Sequence, residues 1–445
     1  MDNSNQSTAL SGNSNIGFEA ATTPIGSQSE QWITRYENAH THAFGTPLRV
    51  MDHGEGMHVW DVDGNEYLDF LAGIAVNSLG YAHPKWVRAL RSQAGKVAHI
   101  SNYFASVPQV RLAEKLLEIS GAPEGSRVYF GNSGAEGNEA AMKMAKLYGK
   151  TLPGGDPEHG GAPARILALT KGFHGRTMGA LSATWKLSIR EPYNPLLPAV
   201  QFVEAGNLDA MQAAFDQTVQ DGVGPVAGVM LELIQGEAGV RPLDPMYVKG
   251  VRELCNKNQA LMIIDEVQTG IGRTGKWFAF QRDDLSGSIT PDIITFAKGV
   301  AGGFPMGGMI AFGKPLASLF SPGLHGSTFA GGPLASTAGL TTLQIIEEEG
   351  LVSNAETCGR QLREALMACG NPLFVSARGR GLLNAVQLAH PCSHAAMNWS
   401  LDHGLIVNAV APDALRLAPP LIVSNDEVNE AVSILAEIPS DLSDD

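Results

Sequence analysis

The sequence predicts an α/β fold with a mostly parallel sheet. From about Arg127 onward, short apolar runs alternate with amphipathic stretches, and several runs are continuous β-branched or aliphatic residues rather than alternating ones. Strands buried on both faces read that way, because helices cover both sides of a parallel sheet. The two ends of the chain differ in kind from this middle block, which predicts a second, smaller α+β domain.

The first thirty residues are rich in Ser, Asn, Gln and Gly and are expected to form a disordered polar leader, 1–30. Residues 31–80 form an N-terminal segment expected to pack with the small domain. Within it Gly56 to Leu71 alternates, and Asp61-Val62-Asp63-Gly64-Asn65 is a hairpin signal. The large domain, 81–330, holds candidate strands at Arg127 to Phe130, Ile166 to Thr170, Val226 to Leu233, Leu261 to Asp265, Ile293 to Phe296 and Met309 to Phe312. Between them Met246 to Asn258 carries Val248, Val251 and Cys255 at helical spacing, as a crossover helix should. The small domain, 331–445, opens with a helical stretch around Gly339 to Glu348 and continues with strands near Leu382 to Leu388 and Leu405 to Val410.

With 445 residues, 44% of them apolar and 17% charged, the chain has material for two domains and a large core. Its formal net charge of −14, with no basic stretch to offset it locally, argues against nucleic acid or an anionic membrane as partner. The four cysteines, Cys255, Cys358, Cys369 and Cys392, make no C-x-x-C pair and no zinc-spaced cluster, so no metal site is expected and a reducing cytoplasm is. No run reaches the roughly 18 apolar residues of a membrane span.

Chemistry concentrates at two strand ends. Lys298 follows the apolar run Ile293 to Ala297 and precedes a glycine-rich turn, Gly299 to Gly308. A lysine there has a desolvated amine with open backbone around it, as covalent chemistry with a carbonyl requires. Asp265 ends the run Leu261 to Ile264. An aspartate at one strand end and a lysine at another can address opposite edges of one flat ring, the aspartate a pyridinium nitrogen and the lysine an aldehyde carbon. That pairing points to pyridoxal phosphate. Each residue alone would more often be a solvated lysine or a turn carboxylate, so a phosphate site matters. Arg127 to Ala141 supplies a candidate: strand, glycine turn and helix, with Ser133 and Glu136 in capping-box spacing and small residues that leave backbone N–H groups open to an anion. Neither G-x-G-x-x-G nor G-x-x-x-x-G-K-[ST] is formed there, which weakens dinucleotide and triphosphate readings.

With lysine, aspartate and phosphate turn in this order, the chain resembles the class III (subgroup II) pyridoxal-phosphate aminotransferases of fold type I. The resemblance runs from about Pro47 to Ile438. It rests on Gly73-Ile74-Ala75-Val76-Asn77, Gly172-Phe173-His174-Gly175-Arg176-Thr177, Ile234-Gln235-Gly236-Glu237, Asp265 to Gly275, and His325-Gly326-Ser327-Thr328-Phe329, and is greatest to the acetylornithine branch. It implies a large domain on a mostly parallel seven-stranded sheet and a smaller α+β domain.

The same resemblance implies roles. Lys298 holds the cofactor and moves a proton at the substrate carbon, while Asp265 keeps the pyridine nitrogen protonated. Gln268 lies near the phenolic oxygen, Phe173 stacks on the ring, and Ser133, Gly134, Ala135 and Thr328 meet the phosphate. Ser327 and Thr328 would come from the neighbouring subunit, giving a homodimer with shared active sites. Arg176 would grip the α-carboxylate of N-acetylornithine and the distal carboxylate of glutamate; Arg416 would take the α-carboxylate of 2-oxoglutarate, and Glu237 would pair with Arg416 when that substrate is absent. Arg273 is read as structural. Ornithine, succinylornithine, succinyldiaminopimelate or 4-aminobutyrate aminotransferases share these motifs, and a catalytically silent binding protein on the same fold is the alternative from another class. Two residues depart from the family pattern. Gly137 stands where alanine is usual, an expected helix-propensity cost of about 0.5–1 kcal/mol. Gly332 stands where asparagine is usual, with an expected loss of a hydrogen bond near the subunit interface.

Overall fold

The computed structural model describes residues 27–156, 158, 160–217 and 223–444. Most of the assigned leader lies outside them. Residues 28–30, also assigned to it, are instead the first turn of a helix, Gln28–Ala39, closed by a capping box between Ser27 and Glu30. The helix start also donates Gln28 and Ser29 N–H groups to the Asp63 carboxylate in the 61–65 turn.

Seven strands make the central sheet: β1 Arg127–Gly131, β2 Arg165–Leu169, β3 Val200–Val203, β4 Val226–Leu231, β5 Leu261–Asp265, β6 Ile293–Phe296 and β7 Gly307–Ala311. Their order is β1-β7-β6-β5-β4-β2-β3, and only β7 runs antiparallel to its neighbours. Every residue of β2, β4, β5, β6 and β7 is buried, which is why their sequences are continuous apolar runs. The strand missing from the sequence reading is β3. It sits at the sheet edge beside β2, is only partly buried and carries Gln201, so it lacks the continuous apolar pattern of the others. The crossover helix is Pro245–Lys257, capped by Asp244.

The Gly134–Gly149 helix packs against this sheet more closely than side chains would permit. A Cβ on Gly137 would lie 2.4 Å from the Gly308 carbonyl oxygen of β7. The expected propensity cost at Gly137 is therefore the smaller effect, because glycine is what lets helix and strand approach. Gly137→Ala is expected to destabilise the protein by about 1–3 kcal/mol through overpacking, seen as a lower unfolding midpoint, despite its better helix propensity. Gly332 proves to be the N-cap of the Pro333–Glu348 helix, with no side chain to accept a hydrogen bond. Within its own chain, glycine at this position costs a capping bond worth a few tenths of a kcal/mol.

Toward the C-terminus, Phe374–Arg380, Leu383–Leu388, Ala414–Leu417 and Asn408–Ala411 form an antiparallel sheet in that order. The expected strand Leu405 to Val410 divides in two. Leu405–Ile406 pairs in parallel with Glu66–Asp69 of the N-terminal hairpin, while Asn408–Ala411 joins the antiparallel sheet. Among the described residues no helix is long and apolar enough to cross a membrane, and no cluster of His, Cys, Asp or Glu could hold a metal ion.

Candidate active site

In a largely parallel sheet the loops after the strands gather on one side, and ligands bind there. Asp265 is the last residue of β5, Lys298 follows β6 by two residues, Glu232 directly follows β4, and the Asn132-Ser133 turn follows β1. These ends, with the 173–176 loop after β2, line one cavity of about 420 Å³. It brings together Ser133, Gly134, Ala135, Phe173, Arg176, Glu237, Asp265, Gln268 and Lys298.

Lys298 occupies the left-handed backbone region at φ 44°, strained for a residue with a side chain, and Gly299 follows it. Burial, reinforced by the Arg416 charge, pushes its amine down to about 8 although Glu237, Asp265 and Glu232 pull the other way. At pH 7 about a tenth is thus the free amine that attacks carbonyls, far more than for an ordinary lysine.

The Asp265 carboxylate is 3% exposed and takes four contacts. Its Oδ2 is 2.8 Å from Asn138 Nδ2 and from His174 Nδ1, and its Oδ1 accepts from Val267 N at 3.0 Å and Thr295 Oγ1 at 3.4 Å. Burial opposes the His174 imidazolium, but its contact with Asp265 outweighs that and raises the pKa. The neighbouring Glu266 turns away and binds the Ala279 and Phe280 N–H groups, so of the adjacent pair only the aspartate serves the cavity. Sequence reasoning passed over Asn138, His174 and Glu232. His174 stood inside a quoted motif; Glu232, a charge in an apolar run, was the signal for a buried acid. Burial lifts it to about 7 against the pull of His174, while it accepts from Phe173 N and Gly236 N.

At the phosphate turn, Ser133 Oγ caps the helix by accepting from Glu136 N at 3.2 Å. The reciprocal half of the expected box is displaced by one residue, since the Glu136 carboxylate binds Asn132 N–H. The N–H groups of Gly134 and Ala135 have no intrahelical carbonyl to accept them and sit at the positive end of a 16-residue helix, where an anion is favoured. A Cβ on Gly134 would strike Val267 at 2.6 Å, so only glycine fits this approach.

Arg416, on the Ala414–Leu417 strand, is buried, at 1% exposure. Its Nη1 donates to Glu237 Oε1 at 2.6 Å and to Gln268 Oε1 at 3.3 Å, and its Nη2 to Asn408 Oδ1 at 2.8 Å. Burial would raise the Glu237 pKa, but Arg416, with Lys298 and Lys186, more than offsets it and holds the carboxyl below its usual range. A Cβ on Gly236 would meet the Gln268 side-chain amide, which would have to shift to make room. Arg176 is exposed, lies 5.9 Å above the Phe173 ring, and has no carboxylate partner among the described residues. Arg273 is buried and donates to the Leu382 and Pro419 carbonyls, as a structural arginine does. Three of the expected site residues do not line the cavity of their own chain: Arg416, which reaches it only through Glu237 and Gln268, and Thr328 and Ser327. Thr328 is exposed and lines no part of it, and Ser327 Oγ accepts from Asn132 Nδ2 at 2.9 Å at its margin.

Residues 40–438 match the family model described as "Aminotransferase class-III". The chain belongs to the class-III aminotransferases. It is 71% identical to an acetylornithine aminotransferase of Bifidobacterium longum over 95% of this chain and 98% of that protein. An acetylornithine aminotransferase of Mycobacterium bovis is 42% identical, over 91% and 95% respectively. Among solved structures, the acetylornithine aminotransferase of Elizabethkingia anophelis superposes with a TM-score of 0.76 at 29% identity, covering 92% of this chain and 98% of that one. An ornithine aminotransferase of Toxoplasma gondii, described with partial occupancy of PLP at its active site, gives 0.81 at 29%, covering 92% and 93%.

The donor set of this class-III site fits pyridoxal phosphate. A buried carboxylate lines the cavity and could meet a ring nitrogen, helix N–H groups without intrahelical acceptors could bind a phosphate, Phe173 could offer a ring face, and a lysine of lowered pKa lines the same cavity. Pyridoxal phosphate is the cofactor of this class-III aminotransferase.

Proposed function

We propose that the enzyme transfers the distal amino group of N2-acetyl-L-ornithine to 2-oxoglutarate, giving N-acetyl-L-glutamate 5-semialdehyde and L-glutamate, as a step of arginine biosynthesis. The observation that carries this reading is one arginine silenced and one left open: buried Arg416 is paired at 2.6 Å with Glu237, which lines the cavity, while exposed Arg176 lines the same cavity as Glu237. A pocket that takes two different substrates in turn needs one carboxylate grip for both and a second that works for one only. The 71% identical relative agrees with this assignment.

When bound, pyridoxal phosphate supplies a ring that withdraws electrons and carries the amino group between the two half-reactions. The chain's own residues do the rest in this proposal. Gly134 and Ala135 N–H groups, with Ser133, anchor the phosphate; Asp265, held by Asn138 and His174, keeps a proton on the ring nitrogen; Phe173 covers the ring and Gln268 lies at its phenolic edge. Lys298 holds the cofactor and then moves a proton at the reacting carbon. Arg176 binds the carboxylate of either substrate, and Glu237 releases Arg416 when 2-oxoglutarate enters.

Thr328 and Ser327 serve the site of a second copy in a homodimer. Tyr103 at 93% exposure, Phe104 at 65% and Phe329 at 64% support this, since they leave a large apolar surface beside the Ser327 loop, tied to it by Asn102 Nδ2 donating to Ser327 O at 3.0 Å. Residues 81–330 are proposed as the cofactor domain, and 331–445 with 31–80 as the smaller one.

Holoenzyme mixed separately with N-acetylornithine, ornithine, N-succinylornithine and 4-aminobutyrate, without 2-oxoglutarate, tests the donor. Fastest loss of the visible cofactor band is expected with N-acetylornithine, and a preference for another amine would replace the substrate while keeping the chemistry. Arg416→Ala is expected to raise KM for 2-oxoglutarate by ~10-fold or more, the value of a charge-assisted bidentate contact, and to affect the N-acetylornithine half-reaction less.

A further inference from the structure

The catalytic cavity is not closed off by Phe173, Arg176 and Glu237, for the same three residues line a second chamber of about 560 Å³ on its outer side. That chamber adds three exposed cations, Lys171, Lys186 and Arg241, to Arg176, against the carboxylates of Glu237 and Asp413. Among the described residues none of the three added cations lies within ion-pair distance of a carboxylate. Arg241 is steadied by one bond, Nε donating to Ala238 O at 3.0 Å. In a chain of formal net charge −14, a concave pocket with this excess of unpaired positive charge runs against the field of the rest of the molecule.

We propose that this outer chamber is an anion-capturing antechamber, in which Lys186 and Arg241 draw the dianionic acceptor toward the catalytic cavity and so set the preference for a dicarboxylate oxo acid. The proposal rests on the acceptor assignment made above. Its logic is the charge of the two substrates. N-Acetylornithine carries one carboxylate and one ammonium and is neutral overall, whereas 2-oxoglutarate carries two negative charges. A cation about 8 Å from such a dianion in water favours it by about fivefold, and the same cation is nearly indifferent to a neutral zwitterion. Capture therefore acts on one half-reaction only. Lys186 also acts on the Glu237 carboxylate, so the chamber and the Arg416 pair share a field.

The test separates the half-reactions in the double variant Lys186→Gln, Arg241→Gln, prepared as holoenzyme with its visible band intact. At low salt, kcat/KM for restoring the band with 2-oxoglutarate is expected to fall about 25-fold, while kcat/KM for bleaching it with N-acetylornithine changes less than twofold. Raising NaCl should lower the parent's acceptor value toward the variant's and leave the variant nearly flat. Calorimetric titration of the holoenzyme with glutarate, an unreactive dicarboxylate, should show the same loss of affinity. A second set in the Glu237→Gln background distinguishes capture from an effect on the Arg416 pair, because capture persists there. Equal losses for donor and acceptor, a loss that salt does not erase, a loss that vanishes with Glu237→Gln, or unchanged glutarate affinity each overturns the proposal. If the parent's band is not restored by 2-oxoglutarate at all, the acceptor assignment fails, and the glutarate titration still decides the antechamber.

Discussion

Lys298→Ala is expected to lower turnover by ~10³-fold or more, because in the proposed mechanism one side chain supplies both the covalent hold on the cofactor and the proton transfer at the reacting carbon. The purified variant should lose the visible band that the parent shows, or release its cofactor on gel filtration. The same substitution should not weaken the cofactor-free fold at neutral pH. The amine's pKa is lowered from 10.5 to about 8, so the folded protein resists the proton that the unfolded chain accepts. The sign follows: parental stability rises with pH between about 8 and 10.5, and the penalty is fully present below 8. Removing the amine removes that penalty, and the left-handed backbone at Lys298 is no worse for alanine. Thermal unfolding of cofactor-free Lys298→Ala at pH 7 should give a midpoint at or above the parent's; a clear drop would show that Lys298 also holds the fold. Covalent uptake of cofactor by parental apoenzyme should quicken as pH rises through about 8 and level off only above it, once the amine is mostly free.

Asp265→Asn is the second large effect, with an expected ~10²–10⁴-fold fall in turnover and, unlike the first, a loss of stability. The carboxylate accepts from Asn138, Val267 and Thr295 and meets His174, and an amide of the same shape can accept on only one of its two sides. At least one buried donor is left without an acceptor, at about 1–3 kcal/mol. His174 also loses the contact that raised its pKa, so its imidazole should titrate at lower pH in the variant, observable by NMR. Activity unchanged in Asp265→Asn would remove this carboxylate from the chemistry.

Much of this was legible in the residue order because buried parallel strands must be apolar throughout. A single charge at the end of such a run stands out, and Asp265 and Lys298 were found that way. The neighbouring glutamates were not separable by the same means. Asp265 and Glu266 are adjacent in sequence, yet one faces the cavity and the other binds the Ala279 and Phe280 N–H groups, a difference set by where the chain turns after β5. The Gly134–Gly149 helix was legible from its cap and apolar face, but the reason for Gly137 lay on another strand, 2.4 Å away at Gly308.

By itself the sequence determined the α/β pattern, the strand ends proposed to carry the chemistry, and, through its ordered motifs, the class-III family, since these depend on local period and on residues close in the chain. Only the tertiary structure decided that His174 and Asn138 hold Asp265, that Glu237 reaches Arg416 across 179 positions of chain, and that unpaired cations surround the outer chamber. Contacts between distant segments are fixed by how the elements pack. A side chain's partners, burial and proton affinity therefore do not exist until the fold does.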